Sequence, residues 1–243
     1  MDHSPQNDSF CYVMKDAYFQ KYQNDQLERF KAQYAVRFAS KEMQHTVAAL
    51  AKKAGVKDIV TVYEYTQPQE CQEYLSFKTN FTFFFGEEKH VLAGTKIIVV
   101  VNPNDHPELL KAMIYHQMGH IMHGNPETNN AAIPVSMATK RAQEYAADEF
   151  MYTQLAKEKS LTPYVHWFNF LCTSSRTQDD LVTPEYKLDN PDASHPSHWN
   201  RAQRCLQVLE KRIKVTKTGI SQLDNKTQQE FLMNKERSIG KTG

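Results

Sequence analysis

The stretch from Leu109 to Gly124 constrains this chain most, because His116-Gln117-Met118-Gly119-His120 sits inside a nearly continuous apolar run. Two residues four apart on a helix lie one turn above each other on the same face. His116 and His120 can therefore direct two imidazoles at a single metal ion. The pair is not decisive by itself: a chain with ten histidines in 243 residues carries about 0.4 such pairs by chance. Its surroundings have to carry the argument. Asn102-Pro103-Asn104 breaks the preceding strand pattern, and Asp105-His106-Pro107-Glu108 reads as a helix start. Asp105 is the expected cap, Glu108 completes a capping box, proline is tolerated in the first turn, and Gly124 is placed to end the helix.

With 40% hydrophobic and 23% charged residues, the composition is that of an ordinary globular protein. One folded domain is expected over residues 1–214, followed by a polar, Lys-rich extension over 215–243 that reads as one more helix and then disorder. A net charge of +1 gives no general attraction for nucleic acid or an anionic membrane. The longest aliphatic run, Ile97 to Val101, falls far short of the ~20 residues of a membrane helix, so no stable membrane insertion is expected. Met1 to Phe10 lacks the pattern of a secretory signal. Cys11, Cys71, Cys172 and Cys205 contain no Cys-x-x-Cys, which fits reduced thiols in a cytosol. The expected location is therefore cytoplasmic, or a cytosol reached by a route without an N-terminal signal peptide.

Along the chain, Leu27, Phe30, Tyr34, Phe38, Val47, Leu50 and Ala51 recur at helical steps, predicting one or two amphipathic helices over 13–54 with Gly55 as the stop. From Asp58 the pattern turns to β-branched and aromatic residues. It predicts strands at Ile59–Tyr65, Asn80–Phe85 and Thr95–Val101, the last two forming a hairpin. The Phe81, Phe83, Phe84 and Phe85 cluster is assigned to core packing. Further helices are expected from Ser136 to Lys159, over 163–172 behind Thr162-Pro163, and over 197–214, with a long loop over 173–194. The fold class is α+β, mostly helical, with a small mixed β-sheet ahead of the metal-binding helix.

A hydrolytic metal site usually has three protein ligands and an open position. Glu144 is the strongest third ligand: it lies 24 residues beyond His120, enough for a turn at Gly124-Asn125-Pro126 and a second helix alongside the first. Asp148 follows Glu144 by one turn on the same face, where it can accept the free ring N–H of a ligating histidine. His123 lies too near His120 to close the same site without distorting the helix end, and reads as a helix-terminal cation.

With these residues in place, the sequence resembles the gluzincin metallopeptidases, and among them the family of CAAX prenyl endopeptidases and HtpX-type proteases. The likeness covers roughly residues 81–204: the hairpin, His116-Gln117-Met118-Gly119-His120, Glu144-Tyr145-Ala146-Ala147-Asp148, and Ser194-His195-Pro196 followed by Arg201 or Arg204. It implies a zincin-like fold and a zinc-dependent endopeptidase acting on a protein or peptide. One Zn2+ per chain would be bound by His116, His120 and Glu144, with Asp148 orienting a ligand. His195 and an arginine, Arg201 or Arg204, would lie near the substrate carbonyl and support the site. The sequence departs from that pattern in two ways. The catalytic glutamate is Gln117, whose carboxamide cannot accept a proton near neutral pH, and the membrane helices common in the family are missing. The expected chain is thus a metallopeptidase inactivated at position 117. The alternatives are a non-catalytic zinc-binding pseudopeptidase that holds a protein partner, and a helical interaction protein without metal. If the Thr95–Val101 strand lies at the sheet edge, Ile97 and Val99 would line an extended substrate bound by strand addition.

Overall fold

The computed structural model describes residues 36–56, 60–65, 81–85, 96–101, 106–123, 136–158, 160–178, 196–216, 220 and 223–240, with backbone alone for some of them, including residues 81–85 and 96–101. Leu27, Phe30, Tyr34, Asp105, Gly124 and His195 lie outside these residues. The protein is α+β: a four-stranded sheet accompanies six helices among the described residues.

The strands are β1 (Val36–Phe38), β2 (Val60–Tyr65), β3 (Phe81–Phe85) and β4 (Lys96–Val101), in the spatial order β1-β2-β4-β3. β1 and β3 run antiparallel to their neighbours, whereas β2 and β4 are parallel, so the sheet is mixed as expected. The β3–β4 hairpin pairing also appears, with Phe83 opposite Ile98 and Thr82 opposite Val99. The order overturns one expectation. β4 is flanked by β2 on one side and β3 on the other, so both rows of its backbone groups are taken. No peptide can be added along Ile97 and Val99; among the described residues the free edges belong to β1 and β3.

Phe38 is not helical either. Val36-Arg37-Phe38 pairs with Tyr65, Glu64 and Tyr63, and Arg37 holds the buried Glu64 at 2.6 Å. Long-range strand pairing wins over helical spacing here, leaving the Phe38 ring 58% exposed. Helix α1 (Lys41–Ala54) starts only after Ser40, whose hydroxyl accepts from the Met43 N–H at 3.2 Å. It ends at Gly55 in the left-handed region, φ 80°. Val47, Leu50, Ala51 and Ala54 form its buried stripe.

Helix α2 (Pro107–Met122) carries the two histidines. Every residue from Ala112 to Ile121 is buried, which places this helix in the centre of the molecule. Its cap is His106, whose Nδ1 accepts from the Glu108 N–H at 3.3 Å, and not Asp105. Helix α3 (Met137–Lys157) is capped by Ser136 as anticipated, its hydroxyl accepting from the Thr139 N–H at 3.1 Å. Helix α4 (Thr162–Gln178) runs past the expected end at 172, because extending an anchored helix costs far less than starting one. Helix α5 (His198–Thr216) falls close to its predicted position.

The further helix expected in the C-terminal extension forms over residues 225–240. Helix α6 (Asn225–Gly240) docks on α4: the Phe231 and Phe168 rings meet at 5.5 Å, and the Asn234 amide donates to Asn169 Oδ1 at 3.0 Å. Its inward face is Thr227, Phe231, Asn234 and Ser238. Three of these four are polar, which hides the stripe from a hydropathy reading although their spacing is helical. No described helix is long and apolar enough to cross a membrane.

Phe231 is 2% exposed and its neighbour Leu232 is 40% exposed. Phe231→Ala should therefore lower the unfolding free energy by about 3–5 kcal/mol, against roughly 0.5 kcal/mol or less for Leu232→Ala. Urea denaturation of the two variants measures whether α6 belongs to the core.

Candidate metal centre

The centre depends on how closely α2 and α3 approach. A Cβ placed on Gly119 would lie 3.0 Å from the Ala147 carbonyl oxygen and 2.8 Å from its Cα, the second a distance that real side chains do not tolerate. Glycine on one helix and alanine on the other let the two backbones touch. His116 and His120 on α2 are thereby brought against Glu144 and Asp148 on α3, all four side chains being buried.

The donor atoms converge. Nε2 of His116 and Nε2 of His120 are 3.1 Å apart. His116 Nε2 is 3.3 Å from Glu144 Oε2, and His120 Nε2 is 3.4 Å from Glu144 Oε1. The two imidazole rings stand at 90° to each other, their centroids 4.7 Å apart. Zinc bonds of about 2.0–2.1 Å in tetrahedral geometry place neighbouring ligand atoms about 3.3 Å apart. The two imidazole nitrogens are at that spacing, and each lies at a similar distance from one oxygen of Glu144, His116 from Oε2 and His120 from Oε1. One donor atom from each of the three residues lies within 4.8 Å of the other two, so among the described residues this is the group that could hold a metal ion.

The surroundings orient the donor groups. Nδ1 of His116 lies 3.0 Å from Asp148 Oδ1. The pair is an ion-pair contact at that distance. An ionised carboxylate only accepts, so the ring proton belongs on Nδ1 and the Nε2 lone pair faces the centre. Asp148 is gripped in turn by Arg201, whose Nε and Nη2 donate to its two oxygens at 2.8 and 2.7 Å. Nη1 of Arg201 reaches to 3.5 Å from Glu144. This fork across two oxygens fixes the carboxylate plane as well as its charge.

Two buried carboxylates face one guanidinium, leaving a net negative charge that attracts a cation. Burial would raise the Glu144 pKa, but its close contacts with His116 and His120 and the charge of Arg201 hold it well below the usual carboxylate range. Asp148 is likewise lowered, because Arg201 outweighs burial. Burial favours neutral His116, yet its contacts with Asp148 and Glu144 raise its pKa overall. His120 goes down, chiefly through burial, helped by the positive neighbours.

The structure thus brings together His116, His120, Glu144, Asp148 and Arg201. Of the two arginines, Arg204 is exposed and lies over the Tyr145 ring at 4.1 Å, outside this cluster. Gln117 is 4% exposed on α2, next to His116 in the chain. His123 is the exposed C-terminal cap of α2 and does not join the ligands. The close-contact role of Gly119 was not deduced from sequence; the small residues Gly119 and Ala147, each inside a motif, were its available signal. Searches for relatives return nothing: no protein-family profile, curated protein or solved structure matches the chain.

Asp148→Asn keeps the shape but removes the charge behind His116, and should weaken Zn2+ binding roughly 10–100-fold in a chelator competition titration. Gly119→Ala should separate the helices. Its expected effect is a loss of about 1–3 kcal/mol in denaturant stability, accompanied by weaker Zn2+ uptake.

Proposed function

We propose that this chain is a zinc metallopeptidase of gluzincin type on a zincin-like scaffold, with its turnover blocked at position 117. The observation that supports this reading most is the buried convergence of two imidazole nitrogens and one carboxylate, held by two touching helices. A zinc ion bound there would supply a Lewis acid for a peptide carbonyl and bring water close to its nucleophilic form at neutral pH. The chain's own residues have separate tasks. His116, His120 and Glu144 bind. Asp148 keeps the His116 proton on Nδ1, and Arg201 holds Asp148 in place and keeps it ionised. Residue 117 follows the first ligand, where the resemblance calls for a general base, and glutamine has no basic site for that proton. An extended protein or peptide substrate would add to the outer edge of β3, which among the described residues pairs with β4 alone. The working compartment on this reading is a cytosol.

Gln117 itself supports a second reading, a zinc-binding pseudopeptidase that holds a protein partner without cleaving it. Metal analysis of the purified chain and a proteome-wide cleavage assay separate the two. The first reading expects one zinc per chain, negligible cleavage by the parent, and hydrolysis by Gln117→Glu with a gain on the order of 10²–10⁴. Zinc with no hydrolysis in either form supports the pseudopeptidase. A metal-free chain, or a fully active Gln117 parent, contradicts the proposed assignment.

A further inference from the structure

Trp167 on α4 packs against the metal cluster from a third helix. Its ring centroid is 5.8 Å from that of His116, and the Arg201 Cζ lies 5.2 Å above it. The side chain is 3% exposed and stacks on Phe170 at 5.5 Å. Tyr164 and Leu171, one turn to either side, are fully buried and fix this face of the helix inward. The ring therefore touches both residues that meet at Asp148: the histidine that faces it and the arginine that grips it.

We propose that Trp167 is a positioning residue of the metal centre, holding the Arg201 guanidinium against Asp148 and so fixing the proton position and ring angle of His116. The inference rests on reading His116, His120 and Glu144 as metal ligands. Hydrogen bonds to Asp148 fix Arg201 along one edge of its plane, and a flat cation held at one edge can still tilt. An aromatic face within about 6 Å attracts a guanidinium from above, in the direction those hydrogen bonds leave open. Volume alone does not account for the residue. The indole N–H is buried and has no hydrogen-bond partner among the described residues, a cost that leucine or phenylalanine would not carry. What tryptophan adds over leucine is the π face that Arg201 occupies.

The test compares Trp167→Leu and Trp167→Phe with the parent, each also combined with Arg201→Gln, by Zn2+ competition titration. Trp167→Leu should bind Zn2+ roughly 10–100-fold more weakly. Trp167→Phe keeps a ring face and should stay within about threefold of the parent. In the Arg201→Gln background the effect of Trp167→Leu should shrink below about twofold, as expected for a residue that acts through another. Parent-like affinity in a folded Trp167→Leu, or an undiminished loss in the double variant, overturns the proposal. Should Trp167→Leu fail to fold, Trp167→Phe decides: a folded form as weak as Asp148→Asn overturns it, and near-parent binding supports it. A parent that takes up no Zn2+ contradicts the metal reading instead. Imidazole 15N shifts of the metal-free chain then test the positioning role, which requires the Nδ1–H fraction of His116 to fall in Trp167→Leu and to persist in Trp167→Phe.

Discussion

The contact between Gly119 and Ala147 is the constraint on which the arrangement depends. Helices usually pack with their axes 8–10 Å apart, a spacing set by the side chains between them. Where those are a glycine and an alanine, the backbones themselves meet. One turn of α2 on either side of that contact then lies within reach of one turn of α3. Two imidazoles and a carboxylate share a space only a few ångströms wide because no Cβ stands on Gly119.

That proximity has an electrostatic cost. Burying Glu144, Asp148 and Arg201 together costs several kcal/mol per ion before pairing. Pairing is close but incomplete: Arg201 satisfies Asp148 across two oxygens and only approaches Glu144. A carboxylate faced by two imidazole nitrogens is a poor way to fill a core and a suitable way to receive a cation. The same balance separates the two histidines, since His116 has a carboxylate behind it and His120 has positive neighbours.

Several elements were legible in the chain because their signals are local. Ser136 caps α3 through its own hydroxyl, and Gly55 stops α1 by adopting a backbone angle that suits glycine. The spacing of His116 and His120, and of Glu144 and Asp148, is a property of one helix each, so the ligand faces could be read directly. What the local signals do not contain is of another kind. Val36 to Phe38 shows helical spacing but pairs with a strand nearly thirty positions away. α6 buries Asn234 and Ser238, which only their partners on α4 and within α6 make tolerable. β4 resembles an edge strand until its second neighbour is counted.

The sequence by itself determined which residues could serve as ligands and that they would lie on two helices, because helical periodicity converts a spacing of four into a shared face. The tertiary structure decided what no spacing contains. It brought the two faces to touching distance and selected Arg201 over Arg204 as the partner of Asp148. It also placed Trp167 against both Arg201 and His116, and enclosed β4 between two strands. Those outcomes depend on which surfaces pack together, and packing is settled by the shape and charge of residues far apart in the chain.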